Sequence, residues 1–247
     1  MYLKVGCCGF PVSHDKYYRQ FSVVELQNTF YQLPQAKTAI RWRDEAPPNF
    51  EFTIKAWQAI THPASSPTWR KMKTAGDLVS KNFGLLRPTK ENFEAWNATL
   101  EICKLVGSKV CVIQCLPQFE FTVENVRNMK KFFRHMDRKG LILALEPRGN
   151  WHDKPKEIKQ LCREWELVHC VDLLREDPAD INSTGYFRLH SLGPRELNYS
   201  YRYAKRDLSL LAKKLSSLAR SGMKEAYVMF NNISMLNDAK KFLETYG

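Results

Sequence analysis

An α/β fold of the (β/α)8 TIM-barrel type, in a single domain over residues 1–247, is what this chain predicts. Eight short apolar segments punctuate it, most of them closing on a polar or charged residue. The spacers between them are mostly helical in pattern, and 247 residues is the ordinary length of one such barrel. In that architecture the C-terminal strand ends face a shared pocket, so the residues closing the segments are the candidates for chemistry.

The segments, in order, are LKVGCC (residues 3–8), VVELQ (23–27), EFTIKA (51–56), KVCVIQC (109–115), LILALE (141–146), LVHCVD (167–172), YFRLH (186–190) and AYVMFNN (226–232). Between the third and fourth, residues 90–106 place Phe93, Trp96, Leu100 and Cys103 at helical spacing, with Thr89 as N-cap and Gly107 as the stop. Residues 123–138, opened by Thr122, then 154–165, 208–219 and 234–246 read as further amphipathic helices. Two spacers depart from the pattern. Residues 57–108 are long enough to hold an irregular loop after strand three, with HPASSPTW overhanging the pocket. Residues 173–185 are short and turn-rich, which predicts a vestigial helix between strands six and seven.

No apolar run approaches the roughly 20 residues that cross a bilayer, so a membrane partner is not expected. The first segment starts at Leu3, leaving no room for a leader, which points to the cytoplasm. The seven cysteines are odd in number, contain no CxxC pair, and include Cys7, Cys111, Cys115 and Cys170 inside strand patterns. They read as buried thiols in place of disulfides or a metal site. The formal charge of +12 fits an anionic small molecule or nucleic acid as partner, or a solvated basic surface.

Strand alternation sorts the charged residues. With Phe52 and Ile54 turned to the helices, Lys55 faces the barrel interior. With Phe187 and Leu189 turned outward, Arg188 and His190 face in. Glu25, Gln114, Glu146 and Asp172 close or nearly close their strands, Arg148 follows Glu146, and Asn231 and Asn232 end strand eight. Buried charges must be paired or face water, so Lys55 is either an ion-pair partner of Glu25 or Glu146, or a cation for a phosphate or enolate. Arg188, Arg195, Arg202, Lys205 and Arg206 interleave with Tyr199, Tyr201 and Tyr203, a mixture that suits phosphates and stacked bases or an ordinary exposed loop.

The segments VGCCGF, VELQNTFYQLP, RWRDEAPPNFEFTIKAWQAITH, IQCLP, LEPRGNW, FRLHSLG and YVMFNN, in this order and over nearly the whole chain, resemble the DUF72 (YecE-like) family. The resemblance implies a TIM-barrel-like fold, similar to the sugar-isomerase and endonuclease IV group of barrels. It implies no reaction, because the family is defined by a domain of unknown function. The matching positions are Glu25, Asn28, Thr29, Phe30 and Tyr31, then Lys55, Thr61 and His62. They continue through Gln114, Glu146, Arg148, Trp151, Arg188, His190, Phe230, Asn231 and Asn232. The chain departs where Cys7 and Cys8 replace small hydroxyl residues, and where EPRGNW stands for a hydrophobic–Glu–aromatic–Arg pattern.

Four mechanisms fit these residues. The first is a hydrolase or lyase acting on a phosphorylated sugar or nucleic acid. There Lys55, Arg148 and Arg188 bind phosphate, Glu25 or Glu146 is the base, and His190 is the acid. Asn28, Tyr31, His62, Gln114, Trp151, Asn231 and Asn232 complete its binding set. No cofactor is specified. A divalent metal is the one the pattern admits, but a multi-zinc centre is a poor match to His62, His152, His169 and His190 beside Glu25, Glu146 and Asp172. The second is a glycosidase-like pair of Glu25 and Glu146. The third is a non-catalytic nucleic-acid or phospho-metabolite binder, and the fourth is Schiff-base chemistry on Lys55.

Overall fold

The structure, a computed structural model, describes residues 1–72, 79–192 and 200–247. Its elements run β1 (Tyr2–Cys8), α1 (His14–Tyr18), β2 (Val23–Leu26), α2 (Asn28–Tyr31), α3 (Ala36–Glu45), β3 (Glu51–Lys55) and α4 (Lys90–Val106). They continue with β4 (Val110–Gln114), α5 (Val123–His135), β5 (Ile142–Glu146), α6 (Pro155–Glu164) and β6 (Leu167–His169), then β7 (Thr184–Leu189), α7 (Lys205–Arg220), β8 (Glu225–Phe230) and α8 (Met235–Tyr246). Strand pairing is parallel, and the fold is of the (β/α)8 TIM-barrel type. Residues 170–183 hold turns and no helix, and the span after β3 carries 3-10 turns at Gln58–Ile60 and Pro67–Lys71. No helix among the described residues is long and apolar enough to cross a membrane.

Two compact units emerge. The larger comprises Gln27–Glu45 and Phe52–Leu167, and the smaller Met1–Leu26, Ala46–Glu51 and Val168–Gly247.

In the larger unit β4 lies between β3 and β5, with Lys55 opposite Val112, Val112 opposite Ala144, and Gln114 opposite Glu146. Paired residues of parallel strands share a face, and so do residues two apart. Lys55, Val112, Ala144, Gln114 and Glu146 therefore lie on one face, while Ile54, Cys111, Ile113, Leu143 and Leu145 take the other. This second set is fully or almost fully buried and forms the layer against the helices. Helix α4 is bounded as its sequence dictates. The Thr89 side chain accepts from the Asn92 amide, and Gly107 takes the left-handed conformation that ends the helix.

In the smaller unit β1 lies between β2 and β8, β8 pairs with β7, and Val171 bridges to Phe187. Arg188, Met229, Gly6 and Val23 lie level on one face, with Cys8 and Glu25 two residues further along it. Gly6 is required there: a Cβ would sit 2.3 Å from the Val23 carbonyl oxygen and 3.1 Å from Met229 Cε.

Candidate functional site

The larger unit gathers a charged cluster at the C-terminal ends of β3, β4 and β5. Lys55 ends β3, and its carbonyl accepts a 2.7 Å bond from Thr29 Oγ1, which fixes α2 against the strand end. Phe30, next along α2, lies beneath the lysine: Nζ is 3.9 Å from the ring centroid, a cation–π distance. The His62 ring meets the same phenyl group edge-on at 4.8 Å, and its Nδ1 is 2.8 Å from Thr61 Oγ1. Burial holds the His62 pKa down at about 3, and the charges of Lys55 and Arg148 push in the same direction. His62 is thus a neutral imidazole at ordinary pH, in the field of two cations.

Glu146 ends β5 and receives both Nε (3.0 Å) and Nη2 (2.6 Å) of Arg148 on its Oε1. Both residues are buried, so the pair is a charge-assisted contact sheltered from solvent. The Cys115 amide donates to the Glu146 carbonyl at 3.0 Å, and burial, with Glu146 adding to it, pushes the Cys115 thiol well up. Gln114 is half-buried opposite Glu146.

A backbone staple holds the His62 loop. Gly84, Leu85 and Leu86 adopt positive φ values of 88°, 57° and 48°. Their amides donate to the carbonyls of Ala59, Thr61 and Ile60 respectively. The buried Asn92 accepts from the Gly84 amide and donates to the Gly84 and Arg87 carbonyls. A Cβ at Gly84 would meet Pro63 N at 2.4 Å and His62 C at 2.5 Å, so only glycine allows this approach.

The smaller unit holds a second cluster. Glu25, fully buried, accepts from Arg188 Nε and Nη2, both at 2.9 Å, and from the Tyr186 hydroxyl at 3.0 Å. Asp172 accepts from the backbone amides of His190 (2.8 Å) and Leu174 (3.1 Å). Burial raises its pKa to about 6, against the pull of those donors and of Arg175. At the opposite, N-terminal end of these strands Lys4 contacts Glu51 and Glu225, each at 2.6 Å, and Tyr227 donates to Glu51 at 2.8 Å. These contacts raise the Lys4 pKa despite partial burial.

Residues 14–246 match the profile of the family described as "Protein of unknown function DUF72". The chain belongs to the DUF72 family. The UPF0759 protein YunF of Bacillus subtilis (strain 168) is 24% identical over 92% of this chain and 84% of its own length. Among solved structures, a DUF72 family protein from Thermotoga maritima MSB8 superposes with TM-score 0.72 at 22% identity, covering 99% of this chain and 98% of that one. Endonuclease IV from Thermus thermophilus has TM-score 0.58 at 12% identity, covering 98% and 99%. Identities this low show a shared fold and nothing about activity.

Within this DUF72 chain the predicted residues separate by surroundings. Lys55, His62, Glu146 and Arg148 form the first cluster, and Gln114 shares its sheet face. Glu25 and Arg188 bond each other. His190 and Asn231 follow Arg188 and Met229 by two residues on their sheet face. Asn232 turns the other way, and its Nδ2 bonds Asp238 Oδ2 and the Tyr201 carbonyl, both at 2.7 Å. Trp151 is fully buried, donates to the Phe119 carbonyl at 2.6 Å and stacks on Phe119, so it holds a loop and presents no open face. Tyr31 is half-buried and accepts from Lys71 Nζ at 3.3 Å, while Asn28 is exposed. Arg195 and Tyr199 of the basic–aromatic segment lie outside the described residues. Cys7 and Cys8 are buried, as are the other five cysteines, and burial pushes the Cys7 thiol up to about 12. No group of three or more His, Cys, Asp or Glu among the described residues is placed to hold a metal ion.

Sequence reasoning missed two contributors and named a third, Phe30, without its role. Tyr186 shares a face with Arg188, and alternation alone was enough to find it. Phe30 was one aromatic among several, and nothing local marks it as the ring beneath Lys55. The Gly84–Asn92 staple joins residues that carry no motif.

Proposed function

We propose that the protein is a hydrolase or lyase acting on a phosphorylated sugar or nucleic-acid substrate through the Lys55–His62–Glu146–Arg148 cluster. The observation that carries this reading is the convergence of two cations on His62. A buried imidazole kept neutral first by burial and then by the charges of Lys55 and Arg148, packed with Lys55 on the same Phe30 ring, marks a spot where an anionic oxygen would be stabilised. Lys55 and Arg148 would hold the anion. His62 would exchange a hydrogen bond with the substrate without changing charge, and Glu146, oriented by Arg148, would serve as base. Glu25, with three hydrogen bonds from Arg188 and Tyr186, suits a positioning role better than that of a mobile base, which weakens the two-carboxylate glycosidase reading. The kinship in fold with endonuclease IV is compatible with a phosphate-bearing substrate and carries no weight alone. Seven buried thiols suit a reducing compartment such as the cytoplasm.

The test is a turnover and binding screen over sugar phosphates, intact oligonucleotides and abasic oligonucleotides, with wild type, Lys55→Met and Glu146→Gln. Expected is one substrate class whose binding weakens at least tenfold in Lys55→Met and whose turnover, with binding retained, falls about 100-fold or more in Glu146→Gln. If no phosphate-bearing compound is bound or turned over, or both variants match wild type, the reading fails.

A further inference from the structure

The chain's positive charge is unevenly spread. Of its 38 Lys and Arg residues, 23 belong to the larger unit, against 14 of its 26 acids, so that unit carries nine of the twelve net charges. Helices α5 and α6 show where part of that excess gathers. On α5, Met129, Phe132 and Phe133 are buried, while Arg127, Lys131 and Arg134, at i, i+4 and i+7, make an outward stripe. On α6, Ile158, Leu161 and Cys162 are buried, and Lys156, Lys159 and Arg163 repeat the arrangement at i, i+3 and i+7.

Each stripe borders a concave surface. A groove of about 460 Å³ along α5 is lined by Phe121, Val126, Arg127, Lys130, Lys131 and Arg134. A shallower, more open depression of about 650 Å³ along α6 is lined by Lys156, Lys159, Gln160, Arg163 and Glu164. Lys130 of the first meets Glu164 of the second at 2.9 Å, so the two adjoin, and this pair neutralises itself between the stripes. The two rows themselves carry six cations. At 1.5 Å rise per residue, neighbours within a row are about 4–6 Å apart along the axis, a spacing that suits successive phosphates of one strand.

The α5 groove also adjoins the loop that carries Arg148. Phe121 donates its amide to Asn150 Oδ1 at 2.7 Å and packs edge-on against Trp151 at 5.0 Å, two and three residues after Arg148. Gly149 passes so close to Pro117 that a Cβ would lie 2.3 Å from its carbonyl oxygen. The floor of the α5 groove is thus stitched to the turn that follows the Glu146–Arg148 pair.

We propose that the α5–α6 face is a nucleic-acid-binding surface, with the strand's phosphates running along the two basic rows. A lipid surface fits less well. The face is grooved, and Val123 is the one largely exposed apolar residue on these helices, whereas interfacial helices insert a bulky apolar face. The inference goes beyond the chemistry assigned to Lys55 and Glu146 and does not need it.

The test measures binding of a labelled single-stranded oligonucleotide of about 20 residues by fluorescence anisotropy at several salt concentrations. About four phosphate contacts give a log–log salt slope near −3. Arg127→Glu/Lys131→Glu on α5 and Lys156→Glu/Lys159→Glu on α6 should each weaken binding at least tenfold. Lys240→Glu/Lys241→Glu on α8 should leave it within twofold. All the charge-reversal positions are exposed, and circular dichroism verifies folding. Three results overturn the proposal: unchanged affinity in the α5 and α6 variants, an equal loss in the α8 variant, and binding to phosphatidylserine vesicles without binding to the oligonucleotide. Failure of the catalytic reading, by contrast, would show as absent turnover while the charge-reversal series still behaved as expected.

Discussion

His62 is buried and Asp172 half-buried, and their pKa values move in opposite directions from ordinary. His62 titrates near 3 in the fold and near 6.5 unfolded. The unfolded chain therefore binds its proton first, and stability is lost as pH falls from about 6.5 toward 3. Asp172 titrates near 6 in the fold against 3.8 in the open. Its folded form keeps a proton the unfolded form has released, so its contribution is present below about 3.8 and is lost as pH rises through 6. His62→Gln should flatten the loss of stability on the acid side between pH 6 and 4, and Asp172→Asn should flatten the opposing loss toward pH 6. Urea midpoints across that range measure both. The imidazole resonance of His62 should also stay at its neutral position down to about pH 4, and a midpoint above pH 5.5 would contradict the described environment. A different residue-scale prediction concerns Glu25. Removing one partner of a buried, hydrogen-bonded pair strands the other charge, so Glu25→Gln should cost about 3–5 kcal/mol in chemical denaturation. Replacing both Glu25 and Arg188 with apolar residues should recover part of it.

At the scale of elements, the sequence was most legible where a local rule decides the outcome. Thr89 and Gly107 bound α4 as expected because cap chemistry involves only neighbours. The alternation of EFTIKA put Lys55 on the face that also carries Glu146. Boundaries set by tertiary contacts were harder to read. Helix α7 begins at Lys205, three residues before the apolar periodicity starts, because Asp207 Oδ2 accepts the Ala204 amide and the Tyr201 hydroxyl. Helix α5 stops at His135, not Arg138, where Met136 turns extended and buries its side chain. Helix α3 was not expected at all, since Ala39 is its one buried residue and leaves almost no apolar stripe to recognise. The Gly84–Leu86 staple is the sharpest case. Two leucines at positive φ run against local preference and persist because their amides donate to the Thr61 and Ile60 carbonyls while Asn92 holds the flanking Gly84 and Arg87. Gly84→Ala should destabilise the fold by roughly 2–3 kcal/mol, and Asn92→Ala by a similar amount, through three lost hydrogen bonds at about 1 kcal/mol each. Hydrogen exchange should show faster amides at His62, Leu85 and Leu86 in both. If those amides are unaffected, the staple does not position His62.

For the molecule as a whole, the division of labour between strand ends is the feature that sequence suggested and charge placement sharpens. In this architecture chemistry belongs to the C-terminal ends and stability to the N-terminal ends. Lys4 sits at an N-terminal end, where Glu51, Glu225 and the Tyr227 hydroxyl surround its Nζ with three contacts of 2.6–3.1 Å. Nothing in the sequence of β1 separates this lysine from Lys55. Both interrupt an apolar strand and both sit over an aromatic ring, Tyr227 for Lys4 and Phe30 for Lys55. What separates them is the rest of their surroundings. Two carboxylates flank Lys4 at the N-terminal end, and at the C-terminal end the charge of Lys55 acts on a neutral histidine in concert with Arg148. Lys4→Met should therefore lower stability by about 1–2 kcal/mol and leave affinity for any phosphate-bearing ligand within twofold. Lys55→Met, which removes one of the two cations depressing His62, should raise the His62 pKa and weaken the ligand at least tenfold. Paired denaturation and binding curves on the two variants measure the contrast. Should Lys4→Met weaken the ligand as much as Lys55→Met does, the assignment of function to one end of the strands would have to be abandoned.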